Sequence, residues 1–209
     1  MTIGVLALQG DVPEHLRALA EGADGRAVVP VRRPSDLDRV EALFLPGGES
    51  TTIARLLQES GLWAPLRARI HDGLPVLATC AGLILLARRL EPSANGRDPP
   101  TLEALDVTVR RNDYGSQADS FEEPIRVEGI DDPPFPGVFI RAPRILSVGP
   151  AATPIAWRGR EVVGVREGRR WGLAFHPELA GDLRVHRRFL AEAFAPPAPG
   201  PAVASADRQ

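Results

Sequence analysis

The feature that most constrains this chain is the alternation, over its first 90 residues, of short apolar runs with stretches of helical spacing. Ile3–Leu8 is apolar and ends at Gly10, as a buried strand does. Val12–Ala20 follows with Val12, Leu16 and Leu19 on one helical face. Ala27–Val31 and Ala42–Leu45 are the next strand candidates, the second stopped by Pro46-Gly47-Gly48. Ser50 or Thr51 is placed to cap a helix running through Ile53, Leu56 and Leu57, and Leu62–Ile70 is a further amphipathic stretch. Leu74–Thr79 reads as a fourth strand, with Ala81–Leu90 as the helix after it. Strands alternating with helices predict an α/β fold, with a parallel sheet and right-handed crossovers.

The pattern then changes. Glu91–Thr101, rich in Pro, Gly and Asp, predicts an exposed loop. Short strand candidates follow at Val107–Arg110, Ile125–Val127, Val138–Ile140, Ile145–Val148, Val162–Arg166 and Trp171–Phe175, divided by Pro and Gly turns. They predict an antiparallel layer attached to the same sheet. A last helix at about Leu183–Phe194 closes one domain, residues 1–194. The Ala/Pro-rich tail from Ala195 to Gln209 has nothing to bury and is expected to be disordered. A length of 209 residues suits one substantial domain and would cramp two.

Composition excludes several chemistries. A net charge of −2 gives no electrostatic case for nucleic acid or an anionic membrane. No apolar run reaches the roughly 18 to 20 residues of a membrane span. The N-terminus reads as a first strand without a basic leader, and a single Cys forms no internal disulfide, so a cytoplasmic location is expected. All 25 basic residues are Arg. The absence of Lys removes both a Gly-Lys-Ser/Thr phosphate loop and Schiff-base chemistry. One Cys also removes multi-Cys metal sites, and no metal is expected.

Three segments retain chemical potential. In LPVLATCAGLILLA an apolar strand runs into Cys80, and small residues precede an apolar helix. A nucleophile on such a turn projects from the C-terminal edge of the sheet. The same pattern also suits a small buried thiol. Of the four histidines, His15, His71 and His186 read as surface or packing residues. His176 instead ends the strand WGLAF, Pro177 stops the ladder, and Glu178 is placed to orient the imidazole. Cys80, His176 and Glu178 then form a nucleophile, base and orienter. PGGEST at Pro46–Thr51 exposes backbone N–H groups suited to an oxyanion, although an ordinary turn and helix cap would look the same.

Taken in order, the PGG loop, Cys80 in TCAG and His176 in HPE resemble the class I, or triad, glutamine amidotransferases. LQG at Leu8–Gly10, PGGESTT, RNDYGSQADSFE at Arg111–Glu122, GVFIRAP at Gly137–Pro143 and AFHPEL narrow the resemblance to the SNO/PdxT family, the glutaminase subunits of pyridoxal 5′-phosphate synthase. It covers about residues 2–194. The resemblance implies a flavodoxin-like three-layer sandwich whose mostly parallel sheet carries an added antiparallel portion. It implies that Cys80 attacks L-glutamine, His176 shuttles the proton and Glu178 orients His176. Gly48 and Ala81 become the oxyanion-hole donors, while Gly48, Glu49, Ser50, Arg111, Ile140 and Arg141 line the glutamine site. Arg suits the substrate carboxylate, and Glu49 or backbone carbonyls suit its ammonium.

Ammonia would pass to a separate synthase subunit in a hetero-oligomeric complex, with LQG and the first helix near the interface. In that family the glutaminase is nearly silent until docked. Pyridoxal phosphate is then the product of the complex, and this chain needs no cofactor. A triad glutaminase serving another synthase, a PfpI-type cysteine hydrolase or stress protein, and a non-catalytic scaffold are the competing readings. One departure stands out: Ala78 occupies a position, two before the nucleophile, where the family commonly has Gly. Strand geometry there would make the methyl harmless.

Overall fold

The computed structural model describes residues 1–94, 96–111 and 120–196. The tail beyond residue 196 and the middle of the Arg111–Glu122 segment lie outside the described residues. The expected parallel core is present. Strands β1 (Thr2–Leu6), β2 (Ala27–Val31), β3 (Ala42–Leu45) and β4 (Val76–Thr79) pair in parallel in the order β2-β1-β3-β4. β3 and β4 are buried at every residue, as strands covered on both faces must be.

Helices return the chain between them. α1 (Val12–Gly22) packs against the last helix of the chain, Arg184–Ala193. A short turn of helix, α2 (Pro34–Leu37), precedes β3 and was not foreshadowed by the pattern. α3 (Ser50–Glu59) packs against α4 (Trp63–His71) and α5 (Ala81–Leu86). The cap of α3 is Glu49 rather than Ser50 or Thr51: its carboxylate accepts from the Thr51 N–H at 3.4 Å and the Thr51 hydroxyl at 3.0 Å. A carboxylate there also sits at the positive end of the helix dipole.

The second half of the chain departs from expectation in three ways. First, the helix expected over Ala81–Leu90 ends at Leu86, and β5 (Ala87–Leu90) follows. β5 pairs with β6 (Leu105–Arg110), placing Arg88 and Arg89 at 3.0 and 3.3 Å from the buried carboxylate of Asp106. An apolar run alone cannot distinguish helix from strand, and these long-range ion pairs favour the strand. Second, β5, β6 and β9 (Arg144–Val148) form a separate three-stranded sheet instead of extending the main one.

Third, two proline-bearing stretches that lay outside the strand candidates, Ile130–Gly137 and Thr153–Arg158, are extended. β7 (Phe121–Val127) and β8 (Ile130–Phe139) form a hairpin, with β8 outermost in the main sheet. An edge strand tolerates Pro133, Pro134 and Pro136 because half of its donors face no partner. β10 (Thr153–Arg158), interrupted by Pro154, pairs with β11 (Glu161–Glu167) across a turn at Gly159. β12 (Arg170–Leu173) lies between β11 and β4 and runs parallel to β4. The nine-stranded sheet is therefore five parallel strands, β2-β1-β3-β4-β12, extended by antiparallel β11-β10-β7-β8. α6 (Arg184–Ala193) closes the domain by burying Val185, Phe189 and Leu190. Among its described residues, the loop after β5 has no helix or strand. Among the described residues, no helix is long and apolar enough to cross a membrane.

Candidate active site

Parallel strands end on one edge of their sheet, so β1, β3, β4 and β12 bring four distant segments together there. β1 leads to Gln9-Gly10-Asp11, β3 to Pro46-Gly47-Gly48, β4 to Cys80, and β12 through Ala174 and Phe175 to His176. Close approach of backbones demands glycine at two of these points. Gly10 has φ +102°, and a Cβ there would lie 1.8 Å from the Gly47 carbonyl oxygen. A Cβ on Gly47 would lie 2.4 Å from His176 Cε1. The loop after β3 thus passes directly over the imidazole.

Cys80 sits on a strained elbow. Its φ of +47° and ψ of −102° are unfavourable for an L residue, and its N–H is tied to the Leu173 carbonyl at 2.8 Å. Ala81 opens α5 immediately afterwards, while the thiol lies 3.9 Å from the Ile140 carbonyl oxygen. Ala78 lies in β4, opposite Gly172 and Leu45, with no positive φ. Its methyl therefore carries no left-handed strain, and the strain falls on Cys80.

His176 is almost wholly buried, and its Nδ1 meets two carboxylates, Glu178 Oε1 at 2.8 Å and Asp11 Oδ2 at 3.2 Å. Glu178 is held by a 3-10 turn, Pro177–Leu179, that starts directly after the histidine. Burial alone would lower the pKa of His176, but Asp11, Cys80 and Glu178 together hold it well above the usual value. Burial would raise Glu178, yet His15 and His176 bring it down to about 2. Glu178 is therefore a carboxylate at neutral pH, and it favours the imidazolium that His176 becomes when it holds a proton on both nitrogens. Asp11, His176 and Glu178 also place donor atoms within 4.8 Å of one another, as a metal site would. Both carboxylates face the single Nδ1–H, which makes the trio a hydrogen-bonded acid–imidazole cluster.

A cavity of about 230 Å3 opens on this edge, lined by Gly48, Glu49, Ser50, Cys80, Ile140, Arg141 and His176, together with Asp11 and Ile84. Glu178 stands behind His176. Arg111 is not in the wall: its guanidinium meets Glu49 at 3.4 Å, Asp98 at 3.4 Å and the Arg97 carbonyl at 3.0 Å. Asp11 was missed by sequence reasoning: it stands at the N-cap position of α1, yet its side chain makes no cap hydrogen bond and turns to His176. Of the histidines read as surface or packing residues, His71 and His186 fit that reading and His15 goes beyond it. His71 does bind a backbone carbonyl, that of Leu102, at 2.9 Å, and His186 stacks on Phe44 in the core. His15 is fully buried and lies 3.5 Å from Glu178 Oε1.

Comparison with known proteins agrees with this arrangement. Residues 5–195 match the SNO glutamine amidotransferase family. The pyridoxal 5′-phosphate synthase subunit PdxT of Thermococcus onnurineus is 49% identical over 199 residues, covering 92% of this chain and 99% of the relative. The subunit of the same name from Streptomyces coelicolor is 53% identical over 187 residues, covering 90% and 91%. A solved glutamine amidotransferase superposes with a TM-score of 0.83 at 42% identity, covering 91% of this chain and 98% of its own. A putative GMP synthase subunit from Thermoplasma acidophilum shares the fold at 18% identity, with a TM-score of 0.63 and coverage of 92% and 94%. The chain belongs to the SNO glutamine amidotransferase family.

Proposed function

We propose that this chain is the glutaminase subunit of a pyridoxal 5′-phosphate synthase, hydrolysing L-glutamine and passing ammonia to a synthase subunit. The observation that carries the reading is the meeting of Cys80, His176 and the Gly47-Gly48 loop in one cavity, with Glu178 behind the imidazole. Cys80 Sγ, its proton taken by His176 Nε2, attacks the side-chain amide carbon of glutamine. The N–H groups of Gly48 and Ala81 receive the negative oxygen that forms. His176 returns the proton to the leaving nitrogen, ammonia departs and a thioester remains. Water, deprotonated by His176, then attacks the thioester, which frees glutamate and restores the thiol.

Glu178 holds the ring and balances the imidazolium throughout. Arg141 in the cavity wall suits the substrate carboxylate and Glu49 its ammonium, with Ser50 and Ile140 completing the wall. Arg111, paired to Glu49, belongs to the same site as a support for that carboxylate. Imine chemistry on the sugar-phosphate side falls to the partner, since this chain has no Lys. The hetero-oligomeric complex, with no cofactor on this subunit, is part of the proposal. So are a single domain over residues 1–194 and a cytoplasmic location, which suits a free thiol.

The test is reconstitution with a pyridoxal-phosphate-forming synthase. Cys80→Ala should remain folded and lose glutamine-dependent synthesis, while added ammonium salt restores it. Synthesis that ammonium does not restore would sink the proposal.

A further inference from the structure

The orienting carboxylate is itself oriented, by two groups outside the triad. His15 comes from α1 and Thr79 from the last residue of β4. Both are fully buried. Thr79 Oγ1 lies 3.3 Å from Glu178 Oε1, and His15 Nε2 lies 3.2 Å from Thr79 Oγ1 and 3.5 Å from the same carboxylate oxygen. With His176 Nδ1 at 2.8 Å, two donors converge on Oε1, the Thr79 hydroxyl and the His176 ring, and His15 stands behind Thr79; Oε2 has no hydrogen-bond partner among the described residues.

Hydrogen-bond accounting assigns the protons. An ionised carboxylate only accepts, so the Thr79 hydroxyl spends its hydrogen on Glu178. Its lone pair is then left for His15, whose Nε2 must carry a hydrogen. His15 Nδ1 has no hydrogen-bond partner among the described residues, as suits a neutral ring whose hydrogen sits on Nε2. Burial, the largest influence on His15, likewise lowers its pKa and favours the neutral ring.

We propose that His15 and Thr79 are positioning residues for the glutaminase reaction, holding Glu178 Oε1 in line with His176 Nδ1. This rests on the reading of Cys80, His176 and Glu178 as the catalytic set. The need for such anchors is visible in the site. Asp11 presents a second carboxylate 3.2 Å from the same Nδ1, so the ring has two candidate orienters. Donors fixed behind Glu178 settle the contest in its favour. Other titratable groups also face the cluster. Glu14 comes from α1, Cys80 from the elbow, and Asp182 and His186 from the C-terminal side.

The experiment uses four variants of the full chain, assayed for glutamate release in complex with the synthase subunit. Thr79→Val and His15→Leu remove the donors. Thr79→Ser keeps the hydroxyl, and His15→Gln keeps an N–H near the position of Nε2. The first pair should lose about 10- to 100-fold in kcat with KM within about twofold, and the second pair should recover most of that loss. In the first pair the His176-governed limb of the pH profile should move to lower pH, because a poorly held carboxylate stabilises the imidazolium less. Mere loss of folded protein would leave that limb in place.

Alkylation of Cys80 by iodoacetamide against pH reads the same limb without any turnover. Its inflection should shift in Thr79→Val and return in Thr79→Ser. Thr79→Val is isosteric, so it decides the matter if His15→Leu fails to fold. Alkylation profiles that match wild type in Thr79→Val overturn the positioning role. Absent glutamate release from the wild-type complex would instead refute the glutaminase reading, with the alkylation arm still judging the network.

Discussion

Glu178→Gln keeps the shape of the buried side chain and removes its charge, which makes it a direct probe of the ion pair behind Cys80. Burial opposes the charge, but His15 and His176 bring the carboxyl from its usual 4.5 to about 2. At about 1.4 kcal/mol per pH unit, that difference stabilises the charged form in the folded chain, relative to the unfolded one, by about 3 kcal/mol. The folded value lies below the unfolded one, so this stability is complete above pH 4.5 and is lost as the pH falls towards 2. Gln mimics the neutral form at every pH.

The variant should therefore be less stable than wild type by up to about 3 kcal/mol, the share owed to His15 being felt only where that ring is protonated, and the gap should close as the pH falls towards 2. The elevated His176 is the same pair seen from its other partner, and the two contributions are not added. Seen from His176, the stability is complete below 6.5 and declines as the pH rises through the higher folded value. Urea unfolding followed by circular dichroism, from about pH 7 to about pH 3, measures the gap directly. In the reconstituted complex, turnover should fall by up to about 10^4-fold, because an amide no longer selects the imidazole tautomer. A gap below about 1 kcal/mol at neutral pH, or one that persists unchanged into acid, would refute the charge assignment.

Two further substitutions test separate features. His186, with neither ring nitrogen hydrogen-bonded among the described residues, titrates at about 4, chiefly through burial. The unfolded chain takes up this proton near 6.5 and the folded chain does not until about 4, so wild type loses stability as the pH falls between those values. His186→Phe should remove about 3 kcal/mol of that acid loss; thermal unfolding at pH values across the window checks it, and an unaltered pH slope would contradict it. Ala78→Gly should cost about 0.5–1 kcal/mol of stability through backbone entropy and leave glutaminase activity of the complex unchanged. A faster Gly variant would show that the methyl strains the elbow.

The site was legible in sequence where its logic is local. An apolar strand running into Cys80, a His-Pro-Glu after WGLAF and a glycine pair after Ala42–Leu45 are all contained within a few residues. So was the parallel half of the fold, since burial on both faces leaves continuous apolar runs. Less visible were β5, hidden in an apolar stretch that suits a helix equally, and β8 and β10, disguised by prolines that a strand tolerates at an edge or an irregular register.

Asp11, His15 and Thr79 carried no local signal at all. Asp11 looks like a helix cap, His15 one position on a helix face, and Thr79 the end of a strand. What the sequence by itself determined was periodicity, turn chemistry and the reactive groups available, because these depend on neighbours along the chain. Tertiary structure decided which strand ends share an edge, and therefore which carboxylate meets which imidazole. It also decided their charges, because desolvation and hydrogen-bond partners come from residues as far apart in the chain as Asp11 and Glu178.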